Sequence, residues 1–140
     1  MAGSLELEIT TPEKLSFRGT VDELIAPGTQ GLLGIRPGHA PLLCAMRPGI
    51  LTATVRGMRS RFVLGGGFLE VTDDHVRILA DSSDREGEID LDRARAALED
   101  ATRALKSLTP GTSEYKYQAL RQKRAQLRIE VATQALAVGN

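Results

Sequence analysis

Glycine and proline crowd the front of this 140-residue chain: 12 of 14 Gly stand at or before Gly87, and 5 of 6 Pro at or before Pro48. Glycine reaches positive φ and proline presets a turn, so both interrupt regular structure. The first part must therefore turn often, whereas the residues after Gly87 can run on without interruption. The expectation is an α+β protein in two parts, an antiparallel β module over 1–86 and helices over 87–140.

Strand patterning agrees. Leu5, Leu7 and Ile9 alternate with Glu6, Glu8 and Thr10, which gives a strand with one wet face. Val21 to Ala26 is a second strand, stopped by Pro27-Gly28. Residues 50–55 and 61–64 flank Arg56-Gly57-Met58-Arg59 as a hairpin, and 68–71 and 76–80 flank Asp73-Asp74 in the same way. Short strands with turns every 8–12 residues or so indicate a sandwich or barrel. Gly65-Gly66-Gly67 precedes no helix and no Lys-Ser/Thr pair, so it reads as a bulge or close packing and not as a phosphate cradle.

Ser82 to Gly87 is polar and patternless, as a linker is. Beyond it Leu91, Ala94, Leu98, Ala101, Leu105 and Leu108 recur at helical spacing, with Asp90 or Asp92 placed to complement the helix dipole. Thr109-Pro110-Gly111-Thr112 ends that helix, and Thr112 or Ser113 caps a second one running to about Val138. The short connection makes the two an antiparallel hairpin. On the second helix Leu120, Leu127, Val131 and Val138 form one stripe, edged by Tyr117 and Ala135. Ala125, Ile129, Ala132 and Leu136 form another. One stripe suffices for one neighbour, so two stripes ask either for two simultaneous neighbours or for an exchange between them.

Composition removes several function classes. Eighteen basic residues balance 18 acidic ones, which argues against a protein held on nucleic acid by phosphate neutralisation. Cys44 is the single cysteine, so no intramolecular disulfide forms, and it stands among Leu42, Leu43, Ala45 and Met46 as a small hydrophobe. No apolar run approaches the ~20 residues needed to span a bilayer, and the start lacks the pattern of a signal peptide. His39 and His75 have no partners at metal-ligand spacing, and no nucleophile motif appears. No catalytic residue, metal or cofactor is expected. One charge feature stands out: Lys116, Arg121, Lys123, Arg124 and Arg128 fall in a stretch without an acid. Such a stretch is either a solvated face or a basic strip that docks on an acidic partner.

Across nearly its whole length the chain resembles the epsilon subunit family of bacterial F-type ATP synthases. The likeness rests on Thr11-Pro12-Glu13, Phe17-Arg18-Gly19 and above all the string from Gly31 to Leu42, which contains Gly34-Ile35-Arg36-Pro37-Gly38-His39-Ala40-Pro41-Leu42. Pro48-Gly49, Gly66-Gly67-Phe68-Leu69-Glu70-Val71 and Leu79-Ala80-Asp81 follow in the family's order.

The resemblance implies a β-sandwich of about ten strands and a helical hairpin. It also implies a non-catalytic rotor subunit whose sandwich meets the gamma subunit and the membrane c-ring. Such a subunit couples proton flow to rotation, peripherally, on the cytoplasmic side of the bacterial inner membrane. Gly31, Leu32, Gly34, Arg36, Pro37, Gly38, His39 and Pro41 would form the ring-facing loop, with His39 bracing it. Leu32 stands where many members carry an acid, so an apolar contact replaces an acidic one. The hairpin would oppose ATP hydrolysis by extending into the alpha/beta hexamer, with Arg121, Lys123, Arg124 and Arg128 against an acidic loop. Residues 82–87 and 109–112 would then serve as hinges. Some members bind ATP through an Ile/Leu-Asp-x-x-Arg-Ala motif. Ile89 to Ala94 matches it, with Asp90 and Arg93 as ligands, and Leu91 to Ala96 matches again. An ordinary helix start has the same residues, and Asp100 stands where ATP-binding members have a base.

Overall fold

A computed structural model of the chain describes residues 3–138, and the side chains of residues 3–134. The chain divides into two compact units, Met1–Arg85 and Glu86–Asn140.

The first unit contains strands β1 (Leu5–Thr10), β2 (Leu15–Val21), β3 (Glu23–Gly28), β4 (Gly31–Ile35), β5 (Leu42–Val55), β6 (Met58–Thr72), β7 (His75–Ala80) and β8 (Ser83–Arg85). They pair in the order β2-β1-β7-β6-β5-β3-β4, with β8 on β6. Every pairing is antiparallel except β1 with β7, which is parallel. β6 gives its C-terminal half to β7, from Gly67↔Ala80 to Thr72↔His75, and its N-terminal half to β8. A strand shared in this way folds one sheet into the two layers of a β-sandwich. Leu5, Leu7 and Ile9 of β1 meet Leu24, Leu51 and Phe62 of the opposite side in one apolar core, each at 1% exposure or less.

Both expected hairpins form, on tighter turns than the sequence suggests. Arg56 and Gly57 take φ of 51° and 78°, and Asp73 and Asp74 take 48° and 62°. These are two-residue turns whose positive φ values match the twist of the flanking strands. Asp22 stiffens the first of them, accepting from the Arg56 N–H at 2.6 Å.

Several elements depart from the sequence expectation. Pro27-Gly28 does not stop the second strand. Val21 ends β2, and β3 runs from Glu23 through Gly28. Pro27 is tolerated there because the β3–β5 register shifts between Ile25 and Gly28, so no ladder donor is required of it. The roughly ten strands implied by the resemblance appear as eight among the described residues, because β5 and β6 run 14 and 15 residues without a break. Ser83–Arg85 is a strand and not a linker. It pairs with Phe62–Leu64, and the Arg85 guanidinium lies 5.5 Å and 5.8 Å from the centroids of Phe17 and Phe62. A segment zipped onto a sheet and held over two aromatic faces is no hinge.

Gly67 is the tightest point of the sandwich. At φ 136° a Cβ there would overlap the Leu79 carbonyl and lie 2.9 Å from the Ala80 Cα. Close packing, not a phosphate cradle, accounts for the triple glycine.

In the second unit a single 3-10 turn, Glu86–Glu88, precedes α1 (Leu91–Ser107) and α2 (Ser113–Val138). Asp90 caps α1, its Oδ1 accepting from the Arg93 N–H at 3.1 Å. Thr112 caps α2, accepting from the Tyr115 N–H at 3.2 Å. The turn between them is also tied: Thr112 donates its N–H and its hydroxyl to the Thr109 carbonyl, at 3.3 and 2.7 Å. Hence 109–112 is a stiff corner and not a free hinge.

Along the α1 seam Ala94 and Ala101 are buried and the leucines half-buried, while Leu108 lies past the helix end in extended geometry. Gln122 donates to Thr102 across the pair at 3.2 Å. On α2 both stripes are represented among buried residues, Leu127 and Val131 on one and Ala125 and Ala132 on the other. Tyr117 is exposed, and Ala135, Leu136 and Val138 lie outside the described side chains.

Gly67→Ala should cost at least ~3 kcal/mol, because strain and backbone overlap add at a site that cannot relax; urea unfolding of the full chain measures it. Arg85→Ala should cost about 1 kcal/mol and quicken amide exchange at residues 83–85, whereas Arg85→Lys should retain part of the contact.

Candidate functional site

The string from Gly31 to Leu42 divides into an edge strand and a loop. Its first five residues form β4, paired to β3 from Gly28↔Gly31 to Leu24↔Ile35. Only 36–41 is loop, so the expectation of a loop over the whole string needs correction. Gly31 and Gly34 are poor strand formers read alone, and the ladder offered by β3 overrides that preference. Gly31, at φ 131°, closes the β3–β4 turn, whose two central residues are Thr29 and Gln30.

The loop is held at three points. Arg36 pairs with Glu23 of β3, Nε to Oε2 at 3.1 Å. The His39 N–H donates to the Arg36 carbonyl at 3.1 Å, closing a turn through Gly38 at φ 86°. The Gly38 N–H donates to Asp74 Oδ1 at 2.7 Å. The His39 ring contributes locally, its Nδ1 on the Ala40 carbonyl at 2.7 Å. The bracing expected of His39 is thus present at short range, but the long-range anchor is Asp74, which sequence reasoning assigned only to its own hairpin turn. Nothing in the sequence joins positions 36 apart; the fold does.

Alternation along β4 sends Leu33 and Ile35 inward and leaves Leu32, Gly34 and Arg36 outside, with Leu32 69% exposed. Inside the β3–β4 turn, Gly28, Leu33, Leu42 and Cys44 help line a groove of about 510 Å³. Cys44 is half-buried there, and desolvation by burial raises its thiol pKa.

A second surface was not foreseen. Leu43, Phe68 and Leu79 are 70%, 57% and 54% exposed, beside Glu70 and Arg77 on the outer face of β5, β6 and β7. The signal was available: in 76–80 the inward set Val76, Ile78 and Ala80 forces Leu79 outward with Arg77. Exposed apolar clusters on a sheet face mark contact surfaces.

The five basic residues of α2 do not make one strip. At about 100° per residue, Arg121, Arg124 and Arg128 share a face, while Lys116 and Lys123 are centred roughly 130° away. Arg121 donates to Gln118 at 2.9 Å. The Asp90 carboxylate is engaged in capping α1 through the Arg93 N–H, the role of an ordinary helix start. Among the described residues no cluster of His, Cys, Asp and Glu could hold a metal ion, and no helix is long and apolar enough to cross a membrane.

The family described as "ATP synthase, Delta/Epsilon chain, beta-sandwich domain" matches residues 4–86. An ATP synthase epsilon chain from Anaeromyxobacter sp. (strain K) is 44% identical over 129 residues, 92% of this chain and 98% of the relative. The chain belongs to the ATP synthase epsilon chain family. Its members are non-catalytic subunits.

The epsilon chain of Solibacter usitatus is 50% identical over 103 residues, 74% of this chain and 77% of the relative. Among solved structures, a chain of the Euglena gracilis mitochondrial ATP synthase, in a structure of its OSCP, F1 and c-ring, superposes with a TM-score of 0.76 at 23% identity. That match covers 93% of this chain and 81% of the other. A chain from the central stalk and c-ring of the Tetrahymena thermophila enzyme gives 0.57 at 19%, covering 94% and 98%. At these identities the two structures speak for the fold shared with the epsilon family.

Asp74→Ala should free the Gly38 amide, at a cost of about 1 kcal/mol or less for one exposed bond to a carboxylate. Hydrogen exchange at Gly38 should rise several-fold while β1 and β7 keep their protection. Asp74→Asn, which keeps an acceptor oxygen, should change little.

Proposed function

We propose that this epsilon-family chain is a central-rotor subunit that joins the gamma subunit to the c-ring. Proton-driven rotation of the ring is thereby coupled to ATP synthesis. The observation that carries the reading is the 36–41 loop, tied through Arg36 to Glu23 of β3 and through the Gly38 N–H to Asp74, and projecting from the sandwich. A surface that transmits torque must not yield, and ties to two other elements of a well-packed scaffold supply stiffness. Leu32, 69% exposed at the start of this surface, makes the ring contact apolar at that position. The patch of Leu43, Phe68 and Leu79 suits gamma, since a permanent partner covers apolar surface best. On this reading the chain sits peripherally on the cytoplasmic side of the bacterial inner membrane, reaching the membrane only through the ring.

The helical unit is proposed as the brake on ATP hydrolysis, acting in the alpha/beta hexamer. Two features support it. The buried residues of α1 are Ala94 and Ala101, whose small side chains bury little area and make the pair easy to part. Arg121, Arg124 and Arg128 share one face, half-buried in the hairpin, which would meet the acidic partner once the helices rearrange, while the exposed Lys116 and Lys123 lie elsewhere. With Ser83–Arg85 fixed as β8, the pivot falls within 86–90.

A chain ending at Glu86 should still assemble with gamma and the ring, and the assembled enzyme should hydrolyse ATP several-fold faster than with the full chain. Steady-state ATPase across micromolar to millimolar ATP is the measurement. An unchanged rate at every concentration leaves a purely structural coupler.

A further inference from the structure

β8 has little of its own to hold it. It is three residues long, Ser83-Asp84-Arg85, and each is polar and half-buried or exposed. A strand so short, with no apolar side chain to bury, gains only the bonds of its pairing with Phe62–Leu64. Two side-chain contacts add what the pairing lacks. The Ser16 hydroxyl donates to the Ser83 hydroxyl at 3.1 Å, which ties β8 to β2 at the far end of the pairing order. Arg85 has acids on both sides in sequence, yet its guanidinium lies over two rings, 5.5 Å from the centroid of Phe17 and 5.8 Å from that of Phe62. Those rings stand edge to face, with centroids 5.3 Å apart and planes at 64°, and Phe62 is rooted in the core at 0% exposure. The cation therefore sits on a fixed platform.

The place of this platform in the chain gives it a use beyond stability. The sandwich ends at Arg85, and the helical unit starts at Glu86. Arg85 is thus the last residue fastened to the sandwich, and only 86–90 separate it from α1. If the fastening opens, the free connection lengthens from five residues, 86–90, to eight, 83–90. At about 3.3 Å per residue its span grows by roughly 10 Å, and the direction in which the chain leaves is lost. The effective concentration of a tethered module falls roughly as the −3/2 power of tether length, which is about twofold for this change.

We infer that Arg85 is a positioning residue for the helical unit: seated on Phe17 and Phe62, it fixes the point and the direction from which that unit reaches its partner. This rests on the reading of the helical unit as a brake, and adds the residue that sets how often the brake engages.

The test compares assembled enzymes that carry the full chain as wild type, Arg85→Ala, Arg85→Lys or Asp22→Ala. Asp22→Ala removes the acceptor that braces the β5–β6 turn, and so serves as the control for lost sandwich stability. Steady-state ATP hydrolysis should rise about 1.5- to 2-fold for Arg85→Ala. It should rise less for Arg85→Lys, which keeps the cation, and not at all for Asp22→Ala. Proton-driven ATP synthesis should be the same in all four. Unchanged hydrolysis with Arg85→Ala overturns the inference, while the effect of truncation at Glu86 still stands for the brake. An equal rise with Asp22→Ala, or a fall in synthesis with Arg85→Ala, assigns the effect to general loosening or to rotor coupling and overturns it too. If truncation at Glu86 itself leaves hydrolysis unchanged, the brake is gone, and the inference with it.

Discussion

Where β6 passes β7, the two backbones come so close that no side chain fits at position 67, and the rest of the sandwich is arranged around that approach. β6 must leave one layer and enter the other, and its partner has to follow it. The hydrogen bonds show how. Gly67 pairs with Ala80, the Asp81 N–H donates to the Gly66 carbonyl at 3.0 Å, and the Gly65 N–H donates to Ser82 at 2.9 Å. β8 then resumes the pairing at Leu64↔Ser83. Backbone pairing therefore continues through the corner, which satisfies backbone groups that a bend in a sheet would otherwise leave unpaired. Gly66 at φ 98° and Gly67 at 136° make the bend that this requires. Because β5 pairs with β6 along its whole length, the bend is imposed on it too, at Pro48-Gly49, where Pro48 stands opposite Gly65 and Gly49 opposite Leu64.

Local chemistry made much of this legible in the sequence. Alternation gave the faces of β1 and β7, and the turn residues gave both hairpins. The capping threonine and Pro110-Gly111 gave the corner between the helices. What was hidden shares one cause: it depends on pairing between distant segments. β4 reads as loop because glycine disfavours strands, yet β3 completes its ladder. β8 reads as linker because Ser83-Asp84-Arg85 is polar, yet it lies on the free edge of β6 with a cation over Phe17 and Phe62. The parallel β1–β7 pair cannot be seen from alternation, which reports faces and never partners.

The candidate site was legible to a different degree. Its position came from a specific string of residues, and turn chemistry explained the glycine at 38. Its rigidity did not, because Asp74 comes from another hairpin and Glu23 meets Arg36 only once β3 and β4 have paired. The basic residues of α2 illustrate the converse. The information that divides them was present in their spacing, but counting charges along the chain ignores helical period, and a stretch of five cations became a face of three and a face of two.

The two units also differ in what holds them, and this bears on which of them can move. Among the described residues, every Leu, Ile and Phe at 1% exposure or less belongs to the sandwich. Fully burying such a side chain is worth roughly 1.5–3 kcal/mol, whereas a methyl group is worth about 0.8. Among the described side chains the buried set of the helical unit is Ala94, Ala101, Ala125, Leu127, Val131 and Ala132, four of the six being alanine. Each helix is stabilised locally, by a capping side chain at its start and by Arg103 with Glu99 and Asp100 on the surface of α1. Local terms of this kind survive when helices part, because they need no tertiary neighbour. Separating α1 from α2 exposes these small side chains together with the half-buried leucines of α1, whereas parting the sandwich layers exposes a core of large side chains. Among the described residues the helical unit is thus held by smaller buried side chains than the sandwich.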